Sequence, residues 1–166
     1  MTIRPLGRDD GDEALALRAR ALRDHPRAFL SDPSSLDGMT GARFAERFAE
    51  GVTLGAFLDG RLVGTVAYAP ETREKVRHKG WLVAMYVAPE ARGRGTGEAL
   101  VRALLEAARA TGAEKVLLGV AADNGAAKAL YERCGFRAFA LEERCMIVDG
   151  EPVDEWLMEH RFRAVP

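Results

Sequence analysis

Apolar and polar positions alternate along the chain with two different periods, and the changes between them outline its elements. Thr2 to Pro5 reads as a short edge strand. After it, Asp10 with Glu13 three residues on predicts a capped helix start presenting Leu15, Ala19 and Leu22, and the helix should end before Pro26. The stretch from His25 to Met39 holds Pro26, Pro33, three serines and Gly38, which predicts a long loop, followed by a short helix carrying Phe44 and Phe48 at i, i+4. Val52 to Leu58 and Leu62 to Tyr68 form a β-hairpin turned by Asp59, Gly60 and Arg61, and a charged loop from Pro70 to Lys79 follows.

The second half is more regular. Trp81 to Val87 reads as an apolar strand stopping at Pro89, and Gly97 to Thr111 as a helix with Leu100, Val101, Leu104, Leu105 and Ala108 on one face. Glu98, Arg102 and Glu106, spaced by four, mark its exposed side. Val116 to Val120 is continuously apolar, as a strand buried on both faces is. A helix from Gly125 to Arg133 should end in a left-handed cap at Gly135. Phe136 to Leu141, Cys145 to Val148 and Val153 to Phe162 read as three further strands, with Asp149-Gly150 turning between the last two. The pattern predicts one domain over residues 1–166, a mixed α/β sheet with helices on both faces.

Composition removes several function classes. A length of 166 residues and 48% hydrophobic content suit one core, and a formal net charge of −1 carries no footprint of a nucleic-acid or anionic-membrane binder. The longest apolar runs fall short of the roughly 20 residues of a membrane helix, and Met-Thr-Ile-Arg-Pro lacks a signal peptide's apolar stretch. Cys134 and Cys145 form no CxxC pair, so neither a disulfide framework nor a metal site is indicated, and the expected compartment is the cytoplasm.

The candidate chemistry lies between Trp81 and Gly97, where an apolar strand runs through a glycine-rich loop into a helix. The first turn of a helix offers unpaired N–H groups and a partial positive charge, and glycines let a phosphate approach them. Arg92 and Arg94 add full charges. Glycines fall at 93, 95 and 97, but Glu98 stands where the dinucleotide fingerprint needs glycine, and no Gly-Lys-Ser/Thr follows for a nucleoside triphosphate.

What remains is Arg92-x-x-Gly95-x-Gly97, preceded by Val87-Ala88-Pro89 and followed by Asn124 and Tyr131-Glu-Arg-Cys-Gly-Phe136. In this the chain resembles the GNAT superfamily of N-acetyltransferases, most clearly from Trp81 to Leu141. The resemblance implies a mostly antiparallel central sheet whose parallel middle strands splay apart. It implies that acetyl-CoA is bound by Met85, Tyr86 and Val87 along the strand, by Arg92, Gly93, Arg94, Gly95, Thr96 and Gly97 around the diphosphate, and by Asn124 and Tyr131 near the thiol end. Tyr131 is the implied general acid toward the departing thiolate. A packing role competes, since Ala127, Leu130, Tyr131 and Cys134 share an apolar face.

The reaction implied is direct transfer of acetyl to a primary amine of a small molecule, peptide or protein. A non-catalytic CoA-binding sensor of the same fold is the alternative, and a homodimer through the C-terminal strands is a further implication. A nucleophilic Cys134 or Cys145 is disfavoured, because a buried cysteine usually behaves as a small hydrophobe. Glu71, Tyr86, Glu142, Glu143 and Asp154 stay open as general base, and His25, Arg27 and Phe29 as part of an acceptor wall.

Overall fold

The structure is a computed structural model describing residues 1–162. Seven strands, β1 (Thr2–Pro5), β2 (Val52–Leu58), β3 (Arg61–Pro70), β4 (Lys79–Val87), β5 (Lys115–Ala121), β6 (Arg137–Val148) and β7 (Glu151–Arg161), form one sheet in the order β1-β2-β3-β4-β5-β7-β6. Every neighbouring pair is antiparallel except β4 and β5. The helices are α1 (Gly11–Asp24), α2 (Gly41–Ala45), α3 (Thr96–Ala110) and α4 (Gly125–Arg133).

Two apolar clusters divide the molecule. Leu100 and Leu104 of α3 pack with Val116, Leu118 and Met158 of the sheet, all with almost no exposure. Burying each such side chain is worth about 1.5–3 kcal/mol, enough to fix the α3 axis against the sheet. Beneath α1, Ala14, Leu17 and Ala21 meet Leu62, Tyr86 and Ala88. Val116, Leu117 and Leu118 are all buried, so the unbroken apolar run of β5 reflects cover on both faces.

Both Asp-Gly turns form as expected, with positive φ at Asp59 and Gly60 and again at Asp149 and Gly150; Arg61 already belongs to β3. Gly135 takes φ 87° and closes α4 as a left-handed cap.

Three expectations are corrected. The Asp10 side chain does not cap α1; it pairs with Arg4 at 2.7 Å and accepts from the Gly7 amide, while the Glu13 carboxylate accepts from the Leu62 amide. The buried face of α1 is Ala14, Leu17 and Ala21 with Leu22, one position out of phase with Leu15 and Ala19, which are half-buried. Phe136–Leu141 and Cys145–Val148 are not separate strands. They join into the single strand β6, whose irregularities between Ala138 and Ala140 and between Glu142 and Met146 break the alternation without breaking the strand.

Candidate active site

A cleft forms where β4 and β5 part. Their parallel ladder pairs only Lys79, Gly80 and Trp81 with Lys115, Val116 and Leu117, while β5 continues along β7 to Ala121. The other edge of β4 is bulged: the register against β3 shifts between Thr65 and Ala67, and Ala84 takes φ 53°, a left-handed conformation costly for a residue with a Cβ. The Thr65 hydroxyl donates to the Ala84 carbonyl at 3.2 Å and holds the bulge. Met85, Tyr86 and Val87, just beyond it, line a cleft of about 900 Å³.

The glycine-rich loop forms the next wall, and its glycines serve two purposes. Gly93 and Gly95 have φ of 71° and 76°, and a Cβ at either would meet nothing within 4 Å, so these are backbone positions facing open space. A Cβ on Gly97 would lie 2.8 Å from the Leu130 side chain, so this glycine permits close approach of α3 and α4. The Thr96 side chain is buried and donates to the Ala91 carbonyl at 2.9 Å, which leaves its backbone N–H, among the first of α3, for an anion. Arg94 is exposed and stands off the lining of the cleft, unlike the other residues expected at the donor.

Arg92 lines the cleft in a fixed pose. Its Nε donates to the Val87 carbonyl at 2.9 Å, its Nη2 lies 2.9 Å from His25 Nε2, and the guanidinium is 5.9 Å from the centre of the Tyr86 ring. Across the cleft, Arg27 donates from Nε and Nη2 to the Asp123 carboxylate at 3.0 and 2.6 Å. These two contacts link positions 67 and 96 residues apart, and no local pattern in the sequence signals either. Of the suggested acceptor wall, His25, Arg27 and Phe29 do line the cleft.

Asn124 and Tyr131 enter from the β5–α4 side. The Asn124 Oδ1 accepts from the Ala127 amide at 3.1 Å, capping α4, and its NH2 group remains for a ligand. Tyr131 is 7% exposed, packs edge-on against Phe136 at 5.8 Å, and lines the cleft. Burial, with the Cys134 thiol adding to it, pushes its phenol well above the usual range, so the group keeps its proton throughout the physiological range.

Among the suggested bases, Tyr86 lines the cleft, and its hydroxyl is buried without a partner. Glu71, Glu142, Glu143 and Asp154 do not line it; Glu71 faces Arg73 at 3.5 Å and Asp154 accepts from the Arg144 amide at 2.8 Å. Unforeseen in the sequence, Glu155 lies over Gly119, within 4.8 Å of Glu142 and the Cys145 thiol. Burial, then the hydrogen bond to Glu155, push the Cys145 thiol up to about 12, and burial raises Cys134 as well. Neither cysteine carries an activated thiolate.

The sequence pattern of the acetyltransferase (GNAT) family matches residues 15–136. A mycothiol acetyltransferase of Clavibacter michiganensis is 34% identical over 139 residues, which is 81% of this chain and 42% of that protein. The chain thus spans less than half the length of this relative. Among solved structures, an acetyltransferase of the GNAT family from Streptococcus pneumoniae superposes with a TM-score of 0.86 at 27% identity, covering 97% of this chain and 99% of that one. The ribosomal-protein-alanine N-acetyltransferase of Brucella melitensis gives 0.82 at 26% identity, covering 98% and 100%.

Proposed function

The chain belongs to the acetyltransferase (GNAT) family, whose acetyl donor is acetyl-CoA, and on that premise we propose that it transfers acetyl directly to a primary amine within a ternary complex. The observation that carries this reading is the meeting of the interrupted β4–β5 ladder with the glycine-rich start of α3 in one cleft. The loop and the first N–H groups of α3 hold the diphosphate. The pantetheine amides follow the free edge of β4 from Val87 to Met85, and the Asn124 amide contacts the arm from the opposite side.

At the thioester, a backbone N–H of β4 stabilises the oxyanion that develops as the amine attacks the carbonyl carbon. The carbon–sulfur bond then breaks, and the electron pair leaves on sulfur. Tyr131, kept protonated by its burial, gives its proton to that thiolate, and the attacking nitrogen loses its own to water or a nearby base. Both thiols are raised, which supports direct transfer over an acetyl-cysteine intermediate. The two free cysteines also favour a reducing compartment, the cytoplasm; among the described residues no helix is long and apolar enough to cross a membrane.

The test is thiol release from acetyl-CoA in a panel of small amines, amino acids and peptides with N-terminal alanine. The expected result is turnover with at least one acceptor, intersecting double-reciprocal lines, and most of the activity retained in Cys134→Ala and Cys145→Ala. Tight acetyl-CoA binding without turnover on any acceptor would favour the sensor, and parallel lines with an acetylated cysteine would overturn direct transfer.

A further inference from the structure

We propose that His25 is a positioning residue for the donor site, acting through Arg92; the inference rests on the reading of the glycine-rich loop as the diphosphate site. Pro26 sets the geometry. The residue before a proline is driven out of the helical region, and His25, which follows directly on α1 as its cap, takes φ −137° and ψ 60°, although its amide still bonds to the Ala21 carbonyl. The side chain therefore leaves the helical track and reaches across to the loop before α3.

There its Nε2 meets Arg92 Nη2 at 2.9 Å. A guanidinium has donors and no acceptor, so in this contact the arginine donates and His25 Nε2 accepts. Two of the five guanidinium N–H groups are committed, one to His25 and one to the Val87 carbonyl, which leaves three for an anion. The Tyr86 ring supports both partners, 5.9 Å from the His25 ring and 5.9 Å from the guanidinium carbon. Just downstream, Arg27 ties the segment to Asp123 on the other side of the cleft. An arginine side chain free in solvent loses much rotamer entropy on binding an anion, and one held at two points beforehand loses less. His25 thus joins the end of α1 to the donor loop and makes the acetyl-CoA affinity depend on the segment that also borders the acceptor side.

The experiment measures the acetyl-CoA Kd by calorimetry, with melting temperatures, for His25→Ala, His25→Phe, His25→Gln, Arg92→Ala and His25→Ala/Arg92→Ala. Loss of the bond should raise Kd by about 5- to 10-fold in His25→Ala. His25→Phe keeps a ring against Tyr86 but has no acceptor, so it should be as weak. His25→Gln places an acceptor near the Nε2 position and should recover most of the affinity. In the Arg92→Ala background His25→Ala should change Kd less than about twofold, because the residues act as a pair. Unchanged Kd in His25→Ala and His25→Phe, full affinity in His25→Phe alone, or full additivity in the double variant would each overturn the role. If Arg92→Ala and Gly95→Val both leave Kd unaltered, the diphosphate reading itself fails and takes the His25 inference with it.

Discussion

Tyr131 meets two demands at once, since it fills space between α4 and Phe136 and also borders the cleft. Substitution separates them. In Tyr131→Phe the ring still packs, so the melting temperature should move by less than about 2 °C and acetyl-CoA should bind as before, while kcat falls by about 10- to 100-fold for want of the proton donor. A destabilised but fully active variant would assign the tyrosine to packing alone. Cys145 gives a second residue-scale test. With its thiol pushed up to about 12, roughly one molecule in ten thousand carries the thiolate at pH 8, so iodoacetamide should label the folded protein far more slowly than the unfolded one. Glu155→Gln should accelerate that labelling, because the hydrogen bond and the charge of Glu155 both raise the thiol. That Tyr131, Asn124 and the glycines border one cleft was legible in the sequence because each belongs to a short local pattern. His25 with Arg92, Arg27 with Asp123, and Glu155 over Gly119 were not, since each depends on chain segments that meet only in the folded sheet.

At the scale of elements, the glycine-rich loop and the start of α3 allow affinity and packing to be separated. Gly95→Val places a β-branched residue at φ 76° facing the cleft, and should remove most of the rise in melting temperature that acetyl-CoA produces. Gly97→Ala presses on Leu130, and should lower the melting temperature of the free protein by about 2–4 °C while keeping much of the acetyl-CoA shift. Equal losses of the shift in both variants would contradict the division of labour between these glycines. Existence and type of element were legible where the periodicity was strong, as in α3 and β5. The phase of α1 was not, because two of its buried positions, Ala14 and Ala21, are small, and small residues carry little hydrophobic signal. The continuity of β6 was hidden likewise: a bulge inserts residues out of step, and Glu142 to Arg144 read as a polar break although the strand runs through them.

For the whole molecule, the helix-flanked mixed sheet followed from the order of apolar runs, whereas the insertion of β7 between β5 and β6 did not, since a hairpin can dock by either strand. The docking that occurs brings Glu159 of β7 beside Lys115 of β5 and Arg137 of β6. Glu159 is 5% exposed; Arg161 donates to its Oε1 at 2.8 Å and Arg137 at 3.1 Å, and Lys115 Nζ lies 3.6 Å from Oε2. Burial alone would raise this carboxyl, but the hydrogen bonds from Arg161 and Arg137 and the nearby charges outweigh it and hold the group below the usual carboxylate range. A lowered folded-state value means that the stabilisation is fully present above the unfolded value, about 4.3, and is lost as pH falls through the folded one. Glu159→Gln removes the charge and retains the shape, so at pH 7 it should lower the melting temperature by about 2–6 °C, the equivalent of about 1–2 kcal/mol. The gap between variant and wild type should narrow below about pH 4, as the wild-type carboxyl takes up its proton. Added salt should narrow it too, because the Arg137 and Arg161 side chains are 67% and 62% exposed and open to screening. Melting curves of both proteins from pH 3 to pH 7 decide the matter, and a gap that stays constant over that range would show that neutral hydrogen bonding, not the charge of Glu159, joins β7 to its neighbours.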